Sequence, residues 1–397
     1  MAKRLAVPSK EAQLFLVGKR DSFKASRVQR FSKNTDIPSN QISEIGNSAY
    51  VGNSKDVPNV TLTFSALDVG VKIFSVLTGT DATAYPVGGV DIVNLGEIDA
   101  IIYTKSDTLS DYAKCSHAKK LQIRDFTFNY TLDGESTEDY SAIGSERRWF
   151  KKDVVVDKFI TGTTSFTLTQ TPIVLKNGNY ALSVILDGSY LKEVSTTPAT
   201  GEYRIVGTTM TTGDSMVTQC LAVYQADPTG SNWADVSDPL LPVAIKGKDV
   251  TIHISANEIP RVQSIAINGN LNTQAVKEMG NRDGIAGYQR QIPTVEGTLT
   301  VLDTDTELMD LFTTGSLNSA DTELQPGLGC ITSGIAVKIE LLDPCDTTIP
   351  YTVMKTVYLD NIELVGDAYS VNVNQNAQLQ INWRSTTGHC VIYSGSM

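Results

Sequence analysis

Three histidines and five cysteines are the residues from which this 397-residue chain could build a metal or nucleophile site. Two of the histidines stand beside cysteines, as Cys115-Ser116-His117 and His389-Cys390. Two thiolates and two imidazoles can hold zinc tetrahedrally, but this spacing matches no standard zinc pattern. Asp303, Asp305, Glu307 and Asp310 form an acidic cluster that lacks the ligand spacing and turn glycine of a calcium loop. It reads instead as a helix start, with Asp303 or Asp305 as the cap and the other acids coating the helix. No glycine-rich phosphate loop joins a strand to a helix, and no Ser/His/Asp set stands out. The expectation is a chain with no catalytic residues, no metal site and no cofactor, and no enzyme. Its five cysteines, odd in number and scattered, fit a reduced chain without a disulfide framework.

The clearest pattern is repetition. Arg27-Val28-Gln29 recurs as Arg261-Val262-Gln263, and Glu44, Gly46 and Asn47 recur as Glu278, Gly280 and Asn281. Both sets share one offset, 261 − 27 = 278 − 44 = 234. VTLTF at 60–64 matches GTLTV at 297–301, VLTG at 76–79 matches FTTG at 312–315, and Trp149 lies 234 residues before Trp383. This reads as one domain in two copies with something inserted between them.

The expected organisation has four parts. Residues 1–26 are a basic arm, either a loose tail or a segment docked on a neighbouring subunit. Residues 27–152 are the first repeat and 246–397 the second, each mostly antiparallel strands plus one short helix. Asp68 is the expected helix cap in the first repeat and Asp305 in the second. The Glu-x-Gly-Asn matches read as a turn both copies need, since Gly and Asn favour positive φ. A long loop follows each turn. Trp149 and Trp383 are expected as core anchors, because burying a tryptophan removes up to about 250 Å² from water. Residues 153–245 carry short strands between Gly, Pro, Thr and Asn turns, which suggests a small β-sandwich, and 228–242 reads as the linker back.

The net charge of −11 is uneven. Residues 1–40 carry nine Lys/Arg and three Asp/Glu, while 300–380 hold twelve acidic and two basic residues. A field of that sign disfavours tight binding to phosphate backbones but suits a surface that DNA must pass without sticking. The apolar runs are too short for a membrane helix, and the N-terminus lacks the continuous apolar core of a signal peptide.

The opening strand, the E-[IM]-G-N turn, the T-L-T strand and the helix ending in L-[LT]-T-G or its like resemble the tail tube proteins of long-tailed bacteriophages. The likeness covers roughly 27–152 and 246–392. The resemblance implies β-barrel or sandwich units with a flanking helix, whose inner sheets join side by side into a closed barrel. Two copies per chain imply homotrimeric, pseudo-sixfold rings stacked into a tube, with loops at about 47–58 and 281–293 reaching toward the next ring. It also implies a virion tail location after assembly in the host cytoplasm, tape-measure, tail terminator and tail-tip partners, and double-stranded DNA passing through an acidic lumen. The insert resembles the immunoglobulin-like decorations some tubes carry outside, although here it lies between the repeats rather than at an end. A bulky external domain favours a tail without a contractile sheath.

Two rival classes stand beside this one. A carbohydrate-binding adhesin or fibre would use the insert, with tyrosines such as Tyr190 and Tyr203 exposed for recognition. A wall or capsule hydrolase would need a catalytic set that the sequence does not show. Within the virion, a tail terminator or baseplate hub is a further alternative.

Overall fold

The computed structural model describes residues 12–25, 27–45, 48–67, 70–94, 96–104, 114–150, 153–160, 163–226, 244–255, 257–279, 285–302, 307–314, 334–371, 373 and 376–395. The fold is mainly β. The first unit contains β1 (Ala12–Val17), β2 (Ser22–Lys24), β3 (Val28–Asp36), β4 (Ser39–Ile42), β5 (Gly52–Lys55) and β6 (Asn59–Ala66). It continues through α1 (Lys72–Thr78), β7 (Val90–Asp91), β8 (Glu97–Thr104), β9 (Lys114–Thr131), β10 (Thr137–Gly144) and β11 (Glu146–Phe150). The insert holds β12 (Asp153–Phe159), β13 (Ser165–Thr167), β14 (Ala181–Leu186), β15 (Ser189–Tyr190), β16 (Lys192–Glu193), β17 (Glu202–Val206), β18 (Thr209–Thr212) and β19 (Cys220–Ala226). The last unit begins with β20 (Val250–Ile254), β21 (Asn257–Glu258), β22 (Val262–Asn270), β23 (Thr273–Lys277), β24 (Ile285–Arg290) and β25 (Thr294–Leu302). It ends with α2 (Glu307–Thr314), β26 (Ile335–Leu342), β27 (Val353–Ser370), β28 (Gln378–Ser385) and β29 (Cys390–Ser394).

The two flanking units follow the same element order, and only β7 has no described counterpart. Their irregularities also correspond. The bulge at Val28/Arg30 in β3 has its match at Val262/Ser264 in β22, and Ile98/Ala100 in β8 has its match at Ile335/Val337 in β26. Arg27 and Arg261 both have positive φ, 51° and 63°, and so do Lys120 and Asn361, 51° and 49°. Positive φ is costly for residues with a Cβ, so its recurrence marks places where the long strands must turn.

Each unit is two sheets that share one 18-residue strand. β9 closes β3-β6-β10-β9 with its C-terminal half and pairs with β8 and β11 through its N-terminal half. β27 does the same for β22-β25-β28-β27 and for β26 and β29. Alternation explains why these strands form: β10 reads iBiBiBiB and β25 eBeBiBiBi in burial, so every second side chain enters the core. Phe64, Phe126, Phe128 and Tyr140 line that side, and each large apolar side chain buried there contributes about 1.5–3 kcal/mol. α1 closes over them, with Phe74 edge-on to Phe128 at 6.0 Å between ring centroids. Gly79 ends α1 in the left-handed region, φ 74°, and bonds back to the Ser75 carbonyl.

Several expectations need correction. α1 starts at Lys72 with Val71 at the cap position and no side-chain cap, so Asp68 does not cap it; Asp68 itself lies outside the described residues. Asp305 also lies outside them, and Asp310 is buried rather than part of a solvated coat. Residues 12–24 are no arm: β1 pairs along β8 and β2 pairs with β1, because LFLV supplies a strand buried on both faces. The expected long loops hold strands instead. β4 pairs with β5 and β23 with β24, as two hairpins at matched positions, 273 − 39 = 234.

Trp149 is the plainest miss. Trp383 is 2% exposed, but Trp149 is 55% exposed with Arg147 stacked 5.0 Å over its ring. Loop lengths differ between the units, so the offset grows along the chain. Lys120 and Asn361 stand 241 apart, and β10 matches β28 with that offset, which places Trp383 opposite Ala142. By the pairing of β11 with β9 and of β29 with β27, the counterpart of Trp149 is Ile392. The 234-residue spacing of the tryptophans is a coincidence of sequence.

The insert is a sandwich of two four-stranded sheets, β12-β19-β14-β15 and β13-β18-β17-β16. Its first sheet is buried on both faces. Val184, Ala222 and Tyr224 face the second sheet, while Val154, Ile185, Leu221 and Val223 pack on Phe15, Ile101, Tyr103 and Phe150 of the first unit. The linker at 228–242 lies outside the described residues.

Candidate functional site

The residues that could do chemistry are committed to structure. His117 Nε2 lies 3.0 Å from Asp99 Oδ2 and both are buried. Asp99 also accepts from the Lys120 backbone N–H at 2.9 Å, from the Tyr190 hydroxyl at 3.0 Å and from the Ser183 hydroxyl. Burial pushes the Asp99 carboxyl up, but the His117 contact and these hydrogen bonds outweigh it and hold the pKa below the ordinary carboxylate value. Asp99 belongs to the first unit, Ser183 and Tyr190 to the insert, so this cluster bolts the two together. His389 pairs with Asp91, which raises its pKa. Cys115, Cys220, Cys345 and Cys390 are free thiols, and among the described residues no group of three or more His, Cys, Asp or Glu converges as a metal site. Tyr203 is 3% exposed and bonds Glu193 at 2.8 Å. Neither it nor Tyr190, which reaches Asp99, forms an exposed recognition face.

The feature that remains is one sheet shared by both units. β9 and β22 pair antiparallel over seven residues, Asp125 with Asn270 through Thr131 with Ser264. This joins the two inner sheets into eight strands in the order β3-β6-β10-β9-β22-β25-β28-β27. The covered face carries Phe126, Phe128, Tyr130, Ile265 and Ile267, all 2% exposed or less. A buried ion pair fastens the junction: Lys355 of the last unit bonds Glu138 of the first, and both are 0% exposed. The Tyr140 hydroxyl donates to the same carboxylate at 2.8 Å, and the Lys355 ammonium lies 4.4 Å from the Phe74 ring centre.

The other face is open and polar, a mixture of charged, hydroxyl and amide side chains. One cross-strand row runs Arg30, Ser65, Asp139, Thr127, Asn268, Glu296, Arg384, Glu363 across all eight strands. Its neighbours include Ser32, Thr63, Ser141, Asp125, Asn270 and Thr294 in one row, and Thr131, Ser264, Thr300, Gln380 and Ala368 in another. The arginines are matched by acids: Arg30 with Asp139 at 3.7 Å, Arg384 with Glu363 at 2.6 Å and Arg124 with Asp125 at 2.9 Å. The face is therefore polar, with its named carboxylates slightly outnumbering its arginines.

Two edges of this sheet are unpaired among the described residues, β3 at one end and the C-terminal half of β27 at the other. They correspond to the two strands of the internal junction. β22 lies 234 residues after β3, and residues 125–130 of β9 lie 241 before 366–371, at and just beyond the end of β27. Hence Phe31, Lys33 and Thr35 stand where Ile265, Ile267 and Gly269 are buried, and Asp367, Tyr369 and Val371 stand where Phe126, Phe128 and Tyr130 are buried. Tyr369 and Val371 are 59% and 60% exposed, although their counterparts are core residues. Lys33 bonds Ser116 at 2.8 Å, and burial, with Arg147 nearby, lowers its pKa to about 7.

The turn residues matched in sequence sit at the hairpin tips. Glu44 and Glu278 are exposed, whereas Gly46, Asn47, Gly280 and Asn281 lie outside the described residues. Between the two turns, Ile45 and Met279 are fully exposed. The hairpin of the last unit folds over the first: Tyr288 donates to the Lys120 and Ile143 carbonyls at 2.9 and 3.2 Å, and Thr273 to the Ile123 carbonyl at 3.2 Å. Sequence reasoning missed the edges and the Lys355–Glu138 pair, because strand pairing and contacts 217 residues apart leave no local signal. No protein-family model matches the chain, and no curated protein matches it in sequence.

Proposed function

We propose that this chain is a duplicated tube-forming subunit, a virion protein resembling the tail tube proteins of long-tailed bacteriophages. The observation that carries the reading is the internal β9–β22 junction, whose two half-surfaces recur unpaired at the ends of the same sheet. Residues 366–371 of one copy then pair with 31–36 of the next, in the register of the internal junction, and each addition presents a fresh edge. Applying that register sets Val371 against Phe31, Tyr369 against Lys33 and Asp367 against Thr35, with Asp367 diagonal to Lys33. Closure removes every edge of the inner sheet, the usual remedy for a template that would otherwise aggregate.

Three chains give 8 × 3 = 24 strands. At about 4.8 Å per strand and a tilt near 40°, such a barrel has a backbone diameter of roughly 48 Å. With this polar face inward, the lumen has no surplus of Lys or Arg to hold phosphates, so a DNA duplex slides without sequence-specific contact. Tape-measure, terminator and tail-tip proteins are the partners this role requires. The insert, packed on the far side of the first unit, projects outward and favours a tail without a close-fitting sheath. No reaction is part of this role.

Negative-stain electron microscopy of concentrated protein tests it. Hollow tubes or stacked rings with threefold averages are the expected result. Monomers only, with and without tail-tip or tape-measure partners, would overturn it and return a recognition module to the first place.

A further inference from the structure

Two charged residues stand in rows that strand alternation reserves for apolar ones. In β10 every second residue, Glu138, Tyr140, Ala142 and Gly144, turns inward. In β27 Lys355 falls between Val353 and Val357, in the buried row that continues to Leu359. Both charged side chains are 0% exposed, and Lys355 Nζ is in contact with Glu138 Oε1 across a sequence separation of 217 residues. Their surroundings are aromatic. The Phe74 and Phe128 ring centres lie 4.4 and 5.0 Å from Nζ. The Tyr140 hydroxyl donates to Oε2 at 2.8 Å, and the Tyr130 hydroxyl lies 3.4 Å from Oε1.

As an ion pair, these groups lose the solvation of two charges, and the ring faces return only part of it. The same features suit a condensation. Amine and carboxyl are held in contact, which raises their effective concentration far above that of free groups in solution. Apolar surroundings disfavour separated charges, so a proton passed within the pair leaves an amine and an acid. Tyr140 stands where a donor to a developing oxyanion is needed. Burial and the Glu138 charge push the Tyr130 hydroxyl pKa well above its ordinary value, so it stays a protonated donor beside Oε1.

From this geometry we infer that Lys355 and Glu138 condense within the folded chain into an isopeptide bond, a covalent tie between the two units. The proton passes from the Nζ ammonium to Oε1, and the freed Nζ lone pair attacks Cδ. Negative charge gathers on Oε2, where the Tyr140 hydroxyl holds it. A second Nζ proton then goes to the Oε1 hydroxyl, the Cδ–Oε1 bond breaks and one water leaves. Ammonium and carboxylate become a neutral secondary amide and water, and the balance needs no co-reactant. The bond ties the last unit to the first beside the β9–β22 ladder. It forms within one chain, so it stands or falls apart from the tube reading.

Mass spectrometry of the full chain supplies the test. Wild-type protein, denatured and reduced, is expected to weigh one water less than its sequence. Trypsin should leave residues 339–384 uncut at Lys355 and joined to 125–147, with the free peptides reduced at least tenfold. Lys355→Arg keeps a cation but stays protonated and offers no lone pair, so it should restore the full mass. Should that variant fail to fold, the joined peptide in wild-type protein still decides. Tyr140→Phe should slow the loss of water at least tenfold in freshly purified protein, and condensation at the wild-type rate would overturn the part given to its hydroxyl. Full mass with free 125–147 and 339–355 peptides, in fresh protein and after days of storage, would overturn the inference and leave a plain buried ion pair. A loss of water mapped to other residues would overturn it too.

Discussion

The internal junction and the free edges of the inner sheet are built on one plan and finished differently. At the junction, β22 presents Ile265 and Ile267, and β9 presents Phe126, Phe128 and Tyr130. At the free edges the same positions hold Phe31 and Lys33 on β3, and Asp367, Tyr369 and Val371 on β27. The closed junction can be apolar because it forms within one chain and never meets water. On the proposed assembly, an edge that waits for a partner carries a lysine and an aspartate, which discourage mispairing. The Lys355–Glu138 pair sharpens the contrast. By the 241-residue offset its counterparts are Lys114 and Leu379, so no equivalent carboxylate stands at the free edge. On the proposed assembly, the junction within a chain is locked and the one between copies is left reversible.

The largest expected effect falls on assembly. Val371→Glu places a charge where Phe31 of the next copy must pack. Tubes should vanish in electron microscopy, while the melting curve of the single chain stays within about 0.5 kcal/mol of wild type, because the site is exposed. A variant that assembles normally would break the proposed equivalence of edge and junction.

Within the chain, Lys355→Ala should cost about 3–5 kcal/mol in denaturant unfolding, since it strands a buried carboxylate. Replacing both partners, as Glu138→Leu with Lys355→Met, copies the leucine of the second unit and should recover at least half of that loss. Asp99→Asn should cost less, about 2–3 kcal/mol, and loosen the insert, because an amide cannot accept all four contacts. Asp99 has Ala336 as its counterpart, which offers no carboxylate for such a cluster. Its folded pKa is depressed, so this contribution is complete above the ordinary carboxylate range and is lost as pH falls through the folded value.

The effect read only against pH concerns Lys33. Its folded pKa of about 7 lies below the ordinary 10.5, so the unfolded chain binds the proton more readily between those values. Stability of the single chain should therefore rise with pH from about 7 toward 10.5, and Lys33→Met should flatten that slope in melting curves.

How much the sequence revealed depended on whether a feature was local. The opening strands and the hairpins keep the 234-residue offset, so Arg27/Arg261 and Glu44/Glu278 were legible at once. After α1 the loops differ in length, the offset drifts to 241, and the match of Trp149 to Trp383 misled. The insert's strands showed in its texture, but their double burial did not, because Val154 and Val223 read like any sandwich strand. LFLV was short enough to pass for a tail, although β8 buries it. The junction, its ion pair and the free edges are products of pairing across long separations, which periodicity does not encode.

One measurement reaches the central claim directly. Ser32 and Ser370 are set opposite each other if residues 366–371 of one copy pair with 31–36 of the next, because their counterparts Ala266 and Asn129 are opposed inside the chain. Cysteines at 32 and 370, in a Cys345→Ser chain, should oxidise in assembled protein to a covalent closed trimer on a non-reducing gel. Cysteines at 129 and 266 should close within single chains and serve as the control. Tubes that form without the 32–370 bond, alongside a control that closes, would contradict the claim that the free edges repeat the internal junction.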